Sequence, residues 1–281
     1  MSGKLHIVAT PIGNLEDLTP RARQTLAEVD LVAAEDTRHT GRLLSHFGVK
    51  TRLIALHDHN EEQAVATILQ RLEAGQNVAL VSDAGTPLVS DPGYRLVQAA
   101  HRNGITVSPV PGASAVTAAL SVAGLPTDRF CFEGFLPAKA AARKKMLAEL
   151  AGEERTMVFY ESVHRIADAL ADLCDAFGDD RAAFVGRELT KVYEQCLYGS
   201  LGSLRRMVGD GTIATKGEFV IVIAGVVAAN DATYDVDRLL LILAGELPGK
   251  DAARIAAELT GQKKNALYQR ILELKDTGGD S

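Results

Sequence analysis

The run Val78-Ala79-Leu80-Val81-Ser82-Asp83-Ala84-Gly85-Thr86-Pro87-Leu88-Val89-Ser90-Asp91-Pro92-Gly93-Tyr94 decides the fold. Its first four residues are apolar and read as a buried strand. A loop of small residues, glycine and proline follows, carrying two carboxylates, and Tyr94 opens a helical pattern. A strand that ends in such a loop and turns into a helix is where open α/β sheets bind ligands, because backbone N–H and C=O groups stay unpaired there. Val110-Pro111-Gly112-Ala113-Ser114-Ala115 is a second loop of this kind, and Ala9-Thr10-Pro11-Ile12-Gly13-Asn14 is a third. Loops placed to meet one small molecule point to a nucleotide-like cofactor.

Outward from that run, short apolar strands alternate with helical patterns. The expected strands are Leu5–Ala9, Leu31–Ala34, Leu53–Leu56, Val78–Val81 and Thr106–Val110. The expected helices are 20–28, 40–47, 61–73, 94–103 and 115–123. Pro20 fits a first turn with Thr19 as its N-cap, and Gly48, Gly75 and Gly104 fit helix ends. This alternation predicts a mostly parallel sheet covered on both faces. After Gly124, strands at 130–135, 157–160, 182–188, 193–198 and 218–224 and helices at 138–151, 163–177 and 201–208 predict a second, mixed α/β domain. A linker at 228–233 leads to helices at 236–244, 250–259 and 263–274, whose short glycine-containing turn resembles a helix-turn-helix. The expected division is an α/β domain over 1–124, a second over 125–228 and a helical tail over 229–281.

The chain has 281 residues, 47% of them hydrophobic, 5% aromatic and none Trp. Its cores are therefore mostly aliphatic. A net charge of −6 argues against holding nucleic acid by global charge, though not against a local basic patch. Cys131, Cys174 and Cys196 are too few and too scattered for a disulfide framework and read as buried free thiols in a reducing cytosol. The start lacks a signal-peptide pattern, and the apolar run 219–229 falls well short of the roughly 20 residues that span a bilayer. A soluble cytoplasmic protein is expected.

Other motifs are weaker. No G-x-G-x-x-G occurs. Residues 245–251 fail as a phosphate-binding loop, and Gly112–Val116 misses the nucleophile elbow, since Val116 stands where glycine is needed. The cluster His57-Asp58-His59-Asn60 carries metal-ligand types, but a polar strand end with Asn60 capping the next helix accounts for it. Glu35-Asp36-Thr37-Arg38 lies at the ligand edge of the sheet, where Asp36 or Thr37 also suits a cap. Lys139, Arg143, Lys144 and Lys145 read either as a solvated helix face or as phosphate contacts. Lys263 and Lys264 belong to a scatter of basic residues in the tail, where acidic side chains outnumber basic ones over 231–281.

Together these segments resemble the tetrapyrrole methylase superfamily, the class III S-adenosylmethionine-dependent methyltransferases, and within it the branch acting on ribosomal RNA. The resemblance rests on Val8–Leu18, Glu35–Arg38, Leu80–Gly93, Val110–Ala115, Phe132–Pro137, Phe159–Arg165, Arg187–Lys191 and Lys216–Ile223. It implies two α/β domains with S-adenosylmethionine folded into the cleft between them. Ala84, Gly85, Thr86, Leu88 and Val89 then lie along the methionine portion, with Thr86 replacing the aspartate of the porphyrin and corrin enzymes. Ser114 and Ala115 match the pair after the second loop. Tyr160 and Glu161 match the family's Tyr-Met position. Gly217, Glu218 and Phe219 meet the adenine, and Pro11 lines the same cleft.

The activity implied is 2′-O-methylation of a cytidine ribose in the decoding region of 16S rRNA. It needs no metal, since a sulfonium is already a strong leaving group. Glu35, Asp36, His57 and Glu161 are open candidates for the group that assists the hydroxyl, and Arg38 for a phosphate contact. A homodimer acting on the small ribosomal subunit is implied as well. The alternative is a small-molecule methyltransferase acting on tetrapyrrole or corrin precursors, with a wide cleft lined by Arg and His. A nucleotide-binding regulator without turnover is a third class.

Overall fold

The computed structural model describes residues 2–57, 60–226 and 236–277, in two compact units, 1–224 and 225–281. In the first half of the larger unit the chain runs β1 (Lys4–Val8), α1 (Pro20–Glu28), β2 (Leu31–Ala34), α2 (Thr37–His46), β3 (Leu53–Ala55) and α3 (Glu61–Glu73). It continues through β4 (Val78–Val81), α4 (Tyr94–Arg102), β5 (Thr106–Val110) and α5 (Ala115–Val122). The five strands form one parallel sheet in the order β3-β2-β4-β1-β5. Every residue of β2 and β4 is buried, so both faces of the sheet centre are covered. One layer gathers Leu56, Ile68, Leu72, Leu80 and Leu96, and the other Leu26, Val32, Leu44 and Val81.

Caps set the helix starts. The Thr19 hydroxyl accepts from the Ala22 N–H at 3.1 Å, with Pro20 in the first turn, as expected. α2 begins three residues before its expected start, because the Asp36 carboxylate accepts from the N–H groups of Arg38 and His39. Such a cap is worth about 1 kcal/mol. Asn60 precedes α3, but its side chain turns back to accept from the His57 N–H and donate to the Ala55 carbonyl, so it ties off the strand and caps no helix. Asp58 and His59 lie outside the described residues, as does the expected linker at 228–233.

The second half runs β6 (Phe130–Phe135), α6 (Ala140–Glu149), β7 (Thr156–Ser162), α7 (Ile166–Phe177), β8 (Ala182–Arg187), β9 (Gln195–Ser200), α8 (Leu201–Gly209) and β10 (Glu218–Ile223). Its mixed sheet has the order β6-β7-β10-β8-β9. Only β6 and β7 pair in parallel. β9 starts two residues later than its spacing predicts, because tight turns that close Lys191 on Glu188 and Glu194 on Lys191 take up the preceding segment. One hydrophobic cluster joins the halves: Val116, Leu120 and Leu125 pack with Val158, Phe184 and Val222. That shared core holds the loops of the two sheets at one cleft. The cysteines are free, but only Cys174 is buried; Cys131 is half-buried and Cys196 exposed, because β9 is an edge strand.

The smaller unit holds α9 (Val236–Glu246), α10 (Gly249–Thr260) and α11 (Lys264–Thr277) around Leu240, Ala252, Ala253, Ala256, Leu267 and Ile271. The three alanines let α10 sit close to its neighbours. No helix of the described residues is long and apolar enough to cross a membrane.

Candidate active site

Thr10 and Gly85 bridge two ligand-edge loops, N–H to carbonyl in both directions, at 2.9 and 3.1 Å. Gly85 holds φ +83°, and a Cβ there would stand 3.2 Å from Ile12 Cγ2. The Thr86 hydroxyl donates to the Ala113 carbonyl at 3.0 Å and ties this loop to the second one. An ionised aspartate has no proton to give in that position, which accounts physically for threonine here. Four non-glycine residues adopt positive φ among those described: Leu88, Ser90, Glu188 and Thr190. All lie in the loops after β4 and β8. Strain of this kind, about 1–2 kcal/mol per residue, gathers where function demands a shape.

These loops enclose a cavity of about 570 Å³. Of the residues proposed to meet the cofactor, Ala84, Gly85, Thr86, Val89, Ser114, Ala115, Tyr160, Glu161, Gly217, Glu218 and Phe219 line it. Leu88 does not; it packs into the sheet layer beneath. Pro11 lines a second cavity beside the first instead. Of the candidate assisting groups, Glu35 and Glu161 line the first cavity, while Asp36 caps α2 and pairs with Arg38. His57 lines neither cavity.

The lining has a marked charge character. Glu35, Asp83, Asp91, Glu161 and Glu218 face the first cavity, and no lysine, arginine or histidine does. Two of these also pair with cations outside it: Glu161 with Arg165 at 2.7 Å and Glu218 with Lys191 at 3.0 Å. Glu161 is fully buried; Oε1 takes the Ser162 N–H and the Arg165 guanidinium, and Oε2 has no hydrogen-bond partner. Burial, and next to it the Asp83 charge, raise the Asp91 carboxyl above its ordinary value against a hydrogen bond with Ser82. Burial first, then Asp91, push the Tyr160 hydroxyl up to about 12, so Tyr160 enters as a neutral ring, edge-on to Phe132 and Phe135. A small acidic cavity with apolar walls suits a cationic ligand and disfavours phosphates and polycarboxylates.

Several contributors were not singled out from the sequence. Asp83 Oδ1 accepts from the Asp36 N–H at 3.0 Å and joins the loops after β2 and β4. Arg187 is buried and donates to the carbonyls of Lys216 and Tyr193, which seats the loop that carries Gly217 into β10. A Cβ on Gly217 would collide with the Glu188 side chain, so the close approach there requires glycine.

The expected basic patch needs a correction. Arg143 is buried, bonded to Asp172 at 2.6 and 2.7 Å and to the Pro137 carbonyl. It therefore cannot touch a phosphate. Lys144 is exposed but bonded to Asp172 and Asp175. Lys139, Lys145, Lys263, Lys264 and Arg38 are exposed.

A strand-edge cleft between a parallel and a mixed sheet, acidic and rimmed by glycine-dependent loops, has the shape and charge that suit a small cationic ligand. The sequence matches the Tetrapyrrole (Corrin/Porphyrin) Methylases over residues 4–205 and the RsmI C-terminal HTH domain over residues 230–275. The chain belongs to the tetrapyrrole methylase family. It is 53% identical over 272 residues to "Ribosomal RNA small subunit methyltransferase I" of Escherichia coli O157:H7, covering 96% of this chain and 95% of that protein. The protein of that name from Xylella fastidiosa (strain Temecula1) is 54% identical over 268 residues, covering 95% and 98%. Among solved structures, the uroporphyrin-III-C-methyltransferase of Thermus thermophilus superposes with a TM-score of 0.57 at 22% identity, covering 80% of this chain and 96% of that one. The chain is thus a methyltransferase by family, and its fold is the one expected.

Proposed function

We propose that this chain transfers a methyl group from S-adenosylmethionine to the 2′-hydroxyl of cytidine 1402, in the decoding region of 16S rRNA. The observation that carries the reading is identity above 50% with rRNA small subunit methyltransferases I, running along nearly the whole chain from the cleft loops through the helical tail. The cavity supports it independently. S-adenosylmethionine carries a sulfonium and an ammonium, and the lining offers carboxylates and no competing cation.

The residues that fit the cofactor are Gly85, Thr86 and Val89 on one wall, Ser114 and Ala115 on the next, and Tyr160, Glu161 and Gly217–Phe219 opposite. The unpartnered Oε2 of Glu161 is an acceptor ready for one of its donors. Bound there, the cofactor supplies a methyl group on a sulfonium. The chain contributes alignment and water exclusion, the main sources of rate in an in-line displacement. Leu189, Val163 and Phe135 furnish apolar rim for that exclusion. Arg38, Lys139, Lys145, Lys263 and Lys264 are the proposed RNA contacts. We read the substrate as the assembled small subunit, acted on by a cytoplasmic homodimer, since an acidic chain gains little from non-specific attraction to naked RNA.

A tetrapyrrole acceptor is suggested by the family's description and by structures near 20% identity, which bear on family and fold, whereas the relatives at about 50% identity are named for ribosomal RNA. The test is transfer of labelled methyl to unmodified small subunits, naked 16S rRNA and a tetrapyrrole precursor, followed by nuclease digestion. Label in a 2′-O-methylcytidine is expected. Label confined to the tetrapyrrole would overturn the reading.

A further inference from the structure

Beside the first cavity lies a second, of about 400 Å³. The two share Ile12, Asp83, Ala84 and Glu218 as a common wall. Whatever occupies the second therefore faces what occupies the first. Across that wall Arg42 and Lys191 bring cations that the first cavity lacks, beside the shared Asp83 and Glu218. His39, Arg42 and His46, spaced three and four residues apart along α2, line the second cavity from one helix face. All three are exposed, and none makes an ion pair among the described residues. Pro11, Ile12 and the exposed Leu15 supply an apolar floor and lip. A helix face that presents Arg42 between two imidazole donors over an apolar floor matches one nucleotide: phosphates on the outside and a flat base within.

The seam also selects a base. Glu35 and Glu161 line only the first cavity, and Asp36 and His57 line neither. Only Asp83 and Glu218 face both. Glu218 is exposed and bonded to Lys191. Asp83 is half-buried, anchored by the Asp36 N–H through one oxygen, and its Oδ2 makes no hydrogen bond among the described residues.

We propose that the second cavity binds the acceptor nucleotide, its flanking phosphate on Arg42 and its ribose hydroxyl against Asp83, and that Asp83 is the catalytic residue that takes the hydroxyl proton. This rests on the methyl-transfer reading above. The hydroxyl oxygen forms the new O–C bond as the C–S bond of the sulfonium donor breaks. The bonding pair stays on sulfur, and the proton passes to the Asp83 carboxylate and then to water.

The test compares wild type, Asp83→Asn and Arg42→Ala on unmodified small subunits, with S-adenosylmethionine affinity by calorimetry and RNA affinity against salt. Asparagine keeps an acceptor for the Asp36 N–H, so the loop is preserved. Asp83→Asn is expected to lower kcat by about 10²–10³, and to bind RNA and cofactor as wild type does. Arg42→Ala is expected to raise KM for the subunit about tenfold at unchanged kcat, to flatten the salt dependence by about one phosphate contact, and to leave cofactor affinity intact. Wild-type kcat in Asp83→Asn, or wild-type KM in Arg42→Ala, overturns this inference while the methyl-transfer reading stands. A wild-type enzyme that labels no RNA overturns both.

Discussion

Thr10 and Gly85 are joined by a reciprocal pair of backbone hydrogen bonds that closes the N-terminal loop on the loop after β4. The pair requires Gly85 at φ +83°. An alanine there pays the left-handed penalty of about 1–2 kcal/mol and presses on Ile12. Gly85→Ala is expected to remain folded, with a modest drop in Tm, and to lose S-adenosylmethionine affinity by at least about tenfold. Calorimetric titration beside a thermal melt separates the two. Wild-type affinity would show that this wall does not meet the cofactor.

Asp91 gives the site a pH signature. Its native carboxyl lies above the ordinary value of 3.8, first because of burial and then because of Asp83. The native state thus holds this proton more tightly than the unfolded chain. That contribution to stability is complete below the ordinary Asp range and is lost as pH rises through the raised native value. Asp91→Asn should therefore stabilise the protein more at pH 7 than at pH 4, by denaturant unfolding. A cationic ligand favours the carboxylate and reverses the shift, so cofactor binding within that window should release a proton. Calorimetry in two buffers of different ionisation enthalpy measures it, and proton uptake would argue against positive charge beside Asp91.

The parallel sheet was legible because its central strands β2 and β4 are short apolar runs, and because strands alternate with helices that end at Gly48, Gly75 and Gly104. Most of the cofactor loops were legible because they follow such strands directly. For α2 the cap at Asp36 was legible but the first turn was not assigned to the helix, since Thr37-Arg38-His39 carries no apolar residue to set a period. The role of Asp83 depends on two cavities sharing a wall, which arises from tertiary packing and leaves no local pattern. In Arg143-Lys144-Lys145 the three cations look alike, but Arg143 stands four residues before the buried Leu147 on the inner face of α6. That spacing was the available signal.

The Arg143–Asp172 pair follows from the same helix phase. Both side chains are nearly inaccessible, so removing Arg143 leaves the buried Asp172 carboxylate with only Lys144, at 3.2 Å, to offset it. Arg143→Ala is expected to cost about 3 kcal/mol in urea unfolding, the low end for a broken buried pair because Lys144 remains. It should leave the salt dependence of RNA binding unchanged. A solvated pair would cost about 1 kcal/mol or less, so the magnitude alone distinguishes the two readings of this basic segment.

The tail offers the converse case. Lys263 and Lys264 are exposed at the start of α11, where the helix dipole already concentrates positive charge. Cations there oppose helix formation by about 0.3–1 kcal/mol each, yet together with free N–H groups they suit a phosphate. Replacing both with Gln is therefore expected to leave the tail as stable as before or slightly more so. It should also weaken subunit binding and lower the slope of log K against log salt by about 1.5. Cofactor affinity should not move, because the first cavity is lined entirely by residues of the larger unit. Fluorescence anisotropy over a salt series reads the slope, and an unchanged slope would remove the tail from the RNA interface.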